Sequence, residues 1–480
     1  MQTGFAMLCA GSVREKNVKN IMLKNLLDAC GGTVGFWTIG YGLAFGDSTS
    51  SGKSFIGSWR NFCLAETTSA PASDGGAGFI DFFFHWAFAA TAATIVAGTV
   101  AERCTMVAYL FYSVMVSGLV FPVVVHWIWS SYGYLSAYAE DPFLGTGVID
   151  FAGSGVVHIT GGITALIAAI ILGPRIGRFY DEDDIPLPEP KGFAPNSTSL
   201  QCLGTFILWF GWYGFNPGST LTVTGGMDYT TALAAVTTTL GAAFGAISCM
   251  FVQSFIDYYN TGEITYDLTF AMNGLLSGLV ANTAGCAVVT PWAAAIIGTI
   301  AGPVYIAGSS ALIKLRIDDV VDAIPVHLGN GIWGCLAVGF FAAPEQVGAA
   351  YGSTEYGVFY GGGKLLAAQI CGIFFIIGWS TAVMLPFFVA LRRFKMFRVD
   401  RLEEEVGIDI FHHKGAAYNS DRPDSDALEE FYERNLSCSI PKGKRKKKVK
   451  PTPVEEPIES AGSLGARTLD AIDENVADSA

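Results

Sequence analysis

The chain has 480 residues, of which 51% are hydrophobic and only 15% are charged, with a formal net charge of −13. Soluble domains average about 25% charged residues. Residues 1–391 carry 37 of the charged side chains, and the 89 residues after them carry 34. A body with so few charges must present apolar area to lipid, which excludes a cytosolic enzyme, a secreted disulfide scaffold and a nucleic-acid-binding domain.

Apolar stretches recur along residues 1–391 with short polar breaks. Residues 1–13 form a partial stretch that would rise only about 20 Å as a helix, so we expect the first crossing to be truncated. Ten further stretches are long enough to cross about 30 Å of hydrocarbon. They lie at 21–46, 79–101, 104–128, 152–173, 199–216, 229–256, 268–287, 291–313, 323–343 and 356–391.

Lys and Arg occur mainly in every second break, which sets the orientation by the positive-inside rule. With eleven crossings, this pattern predicts an outer amino end and a cytoplasmic carboxyl end. The first domain is therefore a transmembrane domain at 1–391. Ten cysteines could suggest a redox framework, but most lie in or beside apolar segments with no CxxC pair among them, which favours small buried hydrophobes.

The remaining residues form two predicted cytoplasmic parts. Residues 392–418 mix apolar and charged positions and could dock on the body. Residues 419–480 are rich in Ser, Pro and charge, which is typical of a disordered tail. The basic run from Lys442 to Lys450 is either solvated or attracted to anionic inner-leaflet lipid.

Four histidines lie within the predicted crossings, at 85, 126, 158 and 327, where ionisable groups are costly and therefore candidates for function. His158 and His327 stand out by their setting. With the partial stretch counted as the first crossing, His158 lies in the fifth, eight residues after Asp150. His327 lies in the tenth, five residues after Asp322. If crossings 1–5 and 6–10 are inverted repeats, the two histidines meet near the midplane. A neutral pair could share a proton and offer one donor and one acceptor to a small solute. Two unrelated core histidines are the simpler alternative, and a metal site lacks a third ligand at a recognisable spacing.

Aromatic residues gather at the predicted outer ends of several crossings. Phe84 and Phe88 share one helical face, Trp129 ends the fourth crossing, and residues 209–219 are rich in aromatic side chains at the end of the sixth. Aromatic faces at an entrance can bind a small cation for about 2 kcal/mol when desolvated. An interfacial aromatic belt would have the same composition.

These motifs together resemble the ammonium transporter family (Amt, Mep and Rh proteins), and most of all the plant-type ammonium transporters. The segment Asp150-Phe-Ala-Gly-Ser-Gly-Val-Val-His158 looks like the family signature. The resemblance runs to about Tyr418, and its other matching segments are 4–14, 101–103, 173–175, 211–218 and 318–322.

The resemblance implies a fold and an outer site. The fold is an all-α polytopic membrane protein, an eleven-helix bundle with a 5+5 inverted repeat and a long last helix, assembled as a homotrimer. Phe88, Trp129 and Ser219 correspond to the outer ammonium recruitment site. Phe88 and Phe215 are the expected rings of the gate, with Phe84 on its outer side.

It also implies the pore below that gate. His158 and His327 correspond to the twin histidines of the pore, and Trp212 to a ring in its wall. Asp150 corresponds to an acidic residue that organises the site, and Asp322 is its expected counterpart in the second half.

The implied function is high-affinity-type ammonium uptake across a membrane, expected to be the plasma membrane, without enzymatic activity, cofactor or metal. Ammonium would be recruited and deprotonated, and ammonia would cross the pore, with or without electrogenic movement of the proton. An ammonium sensor of the same fold and a membrane enzyme using the histidines on a metal are the alternatives.

Two positions depart from the plant-type pattern. His85 stands where those relatives usually carry Gln. Recruitment would depend on pH if His85 titrates, whereas a neutral His85 would simply replace the Gln hydrogen bond. Phe411 occupies the place of a regulatory threonine in the tail, so we expect no phosphorylation there.

Overall fold

The computed structural model describes residues 1–46, 52–69 and 77–418, and within these ranges the chain is almost entirely helical, with only isolated β-bridges between helices. The predicted disordered tail at 419–480, with its basic run from Lys442 to Lys450, lies outside the described residues.

Among the described residues, eleven helices correspond to the predicted crossings, and the first of them, as expected, is short. They are α1 (Gln2–Ser12), α2 (18–45, made of Val18–Gly35, Phe36–Gly40 and Tyr41–Phe45), α3 (Ala77–Thr99), α4 (Met106–Trp129), α5 (Ser154–Leu172), α6 (Thr198–Phe215), α7 (Asp228–Thr261), α8 (Leu268–Thr283), α9 (Pro291–Lys314), α10 (Ile324–Phe341) and α11 (Lys364–Arg393). Seven of the described helices are long and apolar enough to cross a membrane by length and composition alone. The prediction of an all-α polytopic membrane protein is confirmed.

Helices α5 and α10 share an unusual start. Each begins with a π-helical segment of six residues, Ser154–Ile159 in α5 and Ile324–Gly329 in α10, before continuing as an ordinary α-helix. π-Helical turns often mark functional sites, because the extra residue redirects a side chain. The same local geometry therefore recurs at the equivalent position of the two predicted repeats.

Helices α7 and α8 approach each other through glycines. A Cβ placed on Gly278 would lie 2.0 Å from the carbonyl oxygen of Gly241, and one on Gly245 would lie 2.4 Å from that of Gly274. The backbones therefore touch directly. This is the close packing that small residues permit between membrane helices.

A buried ion-pair cluster joins the polar breaks at one end of the bundle. The Arg175 guanidinium lies 2.7 Å from Glu102 and 2.8 Å from Asp318. Burial alone would raise the pKa of Asp318, but the nearby Arg103 and Arg175 outweigh burial and hold that pKa below its usual value. The cluster therefore stays ionised and ties α3, α5 and the segment before α10 together.

Residues after α11 pack against this same end in two short helices, α12 (Arg401–Val406) and α13 (Ile408–His412). Glu404 accepts a hydrogen bond from the Ile176 amide at 2.7 Å and pairs with Arg398 at 2.8 Å. The Asp409 carboxylate accepts the amides of Lys19 and Asn20, each at 2.8 Å, at the start of α2. The segment predicted to dock thus contacts its own chain in the structure.

Candidate functional site

An aromatic cavity opens between α3, the end of α4 and the turn after α6. Its volume is about 380 Å³, and its lining includes Phe84, His85, Trp129 and Ser219. Trp129 is fixed by a 2.7 Å hydrogen bond from its Nε1 to the carbonyl oxygen of Asp150. Ser219 donates to the carbonyl oxygen of Phe215 at 2.7 Å, and its hydroxyl oxygen can still accept a hydrogen bond.

Phe88 and Phe215 pack next to the aromatic residues of this cavity. Their rings stack with centroids 4.1 Å apart and planes 16° from parallel, and both side chains are buried. Phe88 also meets Trp129 edge to face at 5.5 Å and Phe84 at 4.9 Å. The structure therefore brings the three predicted recruitment residues and both predicted gate rings into one place.

Below the rings, the two histidines of the repeats meet. Nδ1 of His158 lies 3.1 Å from Nδ1 of His327, and the rings are nearly parallel with centroids 5.1 Å apart. Both side chains are buried. One Nδ1 must donate and the other accept, so one ring keeps a free Nε2 lone pair and the other an Nε2–H. The pair therefore offers a small molecule one acceptor and one donor.

Trp212 forms the wall beside the pair. Its ring stacks on His158 at 5.5 Å, and its Nε1 donates to the Thr283 hydroxyl at 2.9 Å. On the far side, His327 lines a cavity of about 20 Å³ whose other lining residues, such as Phe5 and Leu8, are mostly apolar. A cavity of that volume holds roughly one water-sized molecule.

Acidic residues hold the π-helical segments in place. Asp150 accepts the amides of Gly153, Gly155 and Val156 at 2.8 to 3.0 Å, which caps the segment that carries His158. In the other repeat Asp319 makes the corresponding bond, to the Ile324 amide at 2.7 Å. Asp322 instead accepts hydrogen bonds from Tyr305 and Ser309 of α9.

Sequence reasoning missed several partners of these residues. Asp319 lay in a recognised motif with Asp318 and Asp322, and the free amides of a helix start indicate only that one of the three would cap it. Thr283 carries no local signal, because its hydrogen bond with Trp212 joins distant segments. Over the described ranges of the chain, no group of three or more His, Cys, Asp and Glu side chains could hold a metal ion.

Known proteins match this chain over most of its length. The model of the Ammonium Transporter Family matches residues 1–418. Ammonium transporter 1 member 2 of Arabidopsis thaliana is 45% identical over 426 residues, which cover 86% of this chain and 79% of the relative. Ammonium transporter 1 member 1 of Oryza sativa subsp. japonica is 43% identical over 453 residues, covering 90% and 86% of the two chains.

Solved structures agree with the sequence relatives. A structure named "Sensor Amt Protein" superposes with a TM-score of 0.72 at 33% identity, covering 86% of this chain and 94% of that one. Mep2 of Candida albicans superposes with a TM-score of 0.70 at 26% identity, covering 88% and 90%. The chain belongs to the ammonium transporter family.

Proposed function

We propose that this chain takes up ammonium by recruiting the ion in the aromatic cavity, removing its proton and passing ammonia beside the paired histidines. Its membership of the ammonium transporter family supports ammonium transport across a membrane. The observation that carries the finer mechanism is the His158–His327 pair, buried directly below two stacked rings.

Recruitment requires contacts that replace the water around the ion. Trp129 lines the cavity with Phe88 packed edge to face against it, and the Ser219 hydroxyl oxygen is an acceptor for an N–H group. Cation–π contacts supply about 2 kcal/mol when the cation is desolvated. The Ser219 oxygen could also coordinate an alkali cation, but such a cation has no proton to lose and would have to enter the buried pore as a charge.

Loss of the proton from ammonium is favoured by the buried surroundings beyond the stacked rings. The ring centroids of Phe88 and Phe215 are 4.1 Å apart, which leaves no space between the rings. One ring must therefore move before a molecule passes. Beyond them the surroundings are buried, and desolvation favours the neutral form of an ionisable group. Ammonia therefore crosses more easily than ammonium.

The hydrogen-bonding groups of the histidine pair match those of neutral ammonia. Ammonia donates and accepts hydrogen bonds, and the pair offers one acceptor and one donor. The shared Nδ1–Nδ1 bond also provides a route for a proton between the two rings. If the released proton takes that route, transport is electrogenic, and if it returns outward, transport is electroneutral.

Uptake of labelled ammonium by cells that lack their own transporters tests this proposal. His158→Ala should reduce selective uptake severely. His412→Ala removes an exposed histidine of α13 and should leave uptake unchanged. Membrane abundance is measured for both variants. Selective uptake at the full rate by His158→Ala would remove the histidine pair from the mechanism.

An ammonium sensor is a second candidate function, because one structural relative is named a sensor. Both functions use the same recruitment cavity. Uptake measured together with ammonium-dependent signalling separates them, since a pure sensor would respond without flux.

The chain is a multi-pass membrane protein, and we place it at the plasma membrane as a homotrimer with its carboxyl end in the cytoplasm. The alternation of basic breaks supports the orientation, and the match to Amt and Mep structures supports the assembly. Docking of residues 392–418 on a neighbouring subunit belongs to this proposal.

A further inference from the structure

The aromatic cavity contains an ionisable pair that the proposed mechanism does not use. His85 and Asp81 lie one turn apart on α3, with His85 Nδ1 at 3.2 Å from the Asp81 carboxylate and 2.9 Å from the Asp81 carbonyl oxygen. The Tyr41 hydroxyl of α2 donates to the same carboxylate at 2.7 Å. Two helices therefore hold the carboxylate in place.

These contacts determine which ring nitrogen is free. Both partners of His85 Nδ1 are oxygen acceptors, so Nδ1 carries the proton. In a neutral ring, Nε2 then has the lone pair and can accept a hydrogen bond. The ring lies 4.3 Å from Phe45 and 5.9 Å from Trp129 between centroids, so it belongs to the aromatic lining.

The same cavity holds the proposed recruitment site. Asp81, His85, Trp129 and Ser219 all line it. The third titratable group of its described lining is Tyr138, a phenol, which is neutral at neutral and acidic pH. Of the elements packed there, α2 contributes Phe45 and Tyr41, and the turn after α6 contributes hydroxyl groups and apolar side chains. The charge of this lining is therefore set by one carboxylate and one imidazole.

We propose that Asp81 and His85 together form a titratable ammonium ligand at the outer end of the pore. This inference rests on the proposed function and names two further binding residues for it. With His85 neutral, its Nε2 accepts an N–H of ammonium and the Asp81 carboxylate attracts the cation. With His85 protonated, the imidazolium neutralises Asp81 and places a like charge in the cavity.

Acidification therefore weakens recruitment. Imidazole side chains change charge between about pH 5 and 8, where ammonium itself remains protonated. Two like charges a few ångströms apart near a protein surface repel by about 1 kcal/mol or more. The KM for ammonium should rise by about fivefold or more on going from about pH 7.5 to 5.5, which is what a repulsion of that size predicts.

Uptake kinetics of three variants and the parent chain test the pair. His85→Gln keeps an amide in the cavity without titration, so its KM should be nearly independent of pH. Asp81→Asn should raise the KM at neutral pH by a factor of several. Asp141→Asn is the matched control, because it removes an exposed carboxylate that pairs only loosely with Lys53 at 3.6 Å, and it should behave like the parent chain. A parental pH dependence in His85→Gln, or a parental KM in Asp81→Asn, would overturn the inference.

A readout that needs no transport keeps the two proposals separate. In the purified full chain with ¹⁵N-labelled histidine, the His85 signal is identified by its loss in His85→Gln and is titrated with and without ammonium. Binding and protonation are reciprocal, so ammonium should lower the pH at which His85 titrates. A titration unmoved by saturating ammonium refutes the pair as a ligand. A moved titration without flux supports the pair and refutes transport instead.

Discussion

At the scale of single residues, the proposed pore depends on hydrogen bonds that fix the positions of its lining side chains. Trp212 can stack on His158 because its Nε1 is bound by Thr283, a residue of α8 that lies 71 positions further along the chain. Neither side chain contacts solvent. A substitution at Thr283 therefore affects the histidine pair indirectly, through the position of Trp212.

Thr283→Val should reduce both stability and uptake. The isosteric change leaves Trp212 Nε1 buried without its acceptor, which costs about 1–3 kcal/mol. Thermal unfolding in detergent and ammonium uptake measure the two effects. Thr299→Val is the control, since the Thr299 hydroxyl is exposed and bonds only to its own helix, so its melting temperature should hardly move. An unchanged uptake rate in Thr283→Val would show that Trp212 does not need this bond.

Asp318→Asn should destabilise the protein at neutral pH. The change breaks a buried ion pair with Arg175 and leaves the guanidinium undercompensated, which costs about 3–5 kcal/mol. The folded-state pKa of Asp318 lies below its usual value of 3.8, so its contribution is present above that value and is lost as pH falls through the lower folded pKa.

The gap in melting temperature between the parent chain and Asp318→Asn should therefore be constant from neutral pH down to the usual Asp range and shrink only in stronger acid. Glu355→Gln is the control, because Glu355 pairs with the exposed Lys364 and such pairs contribute about 0–1 kcal/mol. A gap that closes above the usual Asp range would contradict the depressed pKa.

The two paired histidines could be predicted at residue scale, because ionisable groups in apolar stretches are conspicuous. Asp319 could not be separated from Asp318 and Asp322, which share its segment. Each bonds to a different element, and that choice depends on the turn geometry rather than on residue type.

At the scale of helices, backbone contact between α7 and α8 predicts a strict size limit. Gly278→Ala would place its Cβ against the carbonyl oxygen of Gly241, so the helices must separate, at about 1–3 kcal/mol. Gly378→Ala is the matched control, since nothing lies within 4 Å of the added Cβ in α11. Melting temperatures of both variants in detergent test the limit. Equal values would show that the helix pair is not tightly packed.

The short helices after α11 should loosen when Asp409 is removed. Asp409→Ala deletes the acceptor for two amides at the start of α2, so residues 401–418 should become sensitive to protease at much lower doses. Glu405→Ala should leave the digestion pattern unchanged, because the Glu405 side chain only pairs with the exposed Arg401. Equal digestion of the two variants would mean that Asp409 does not anchor the segment.

Sequence patterns located most helices well and their irregular parts poorly. The predicted crossings at 152–173 and 323–343 differ from α5 and α10 by one or two residues at each end, since apolar runs define them. The last crossing was predicted to start at 356, but α11 starts at Lys364, because the glycines at 361–363 support a turn rather than a helix. The π-helical segments were missed, since hydropathy carries no information on the hydrogen-bond register.

At the scale of the whole molecule, the burial pattern fits a protein surrounded by lipid. Large apolar side chains are exposed along several long helices, for example Phe206, Phe251, Phe255 and Phe374. The polar residues of the proposed pathway are instead buried or face the aromatic cavity. Residues 1–391 thus carry few charges because most of their surface is apolar. Their polar side chains are concentrated along the proposed path.

The central claim is that this chain carries ammonium along that path. Its most direct test is the uptake of ¹⁵N-labelled ammonium into vesicles that contain only the purified protein and lipid, beside vesicles without protein. The account predicts saturable uptake that a large excess of potassium does not inhibit and that falls severely in His158→Ala. Uptake no faster than in protein-free vesicles, with the protein folded and inserted, would contradict it.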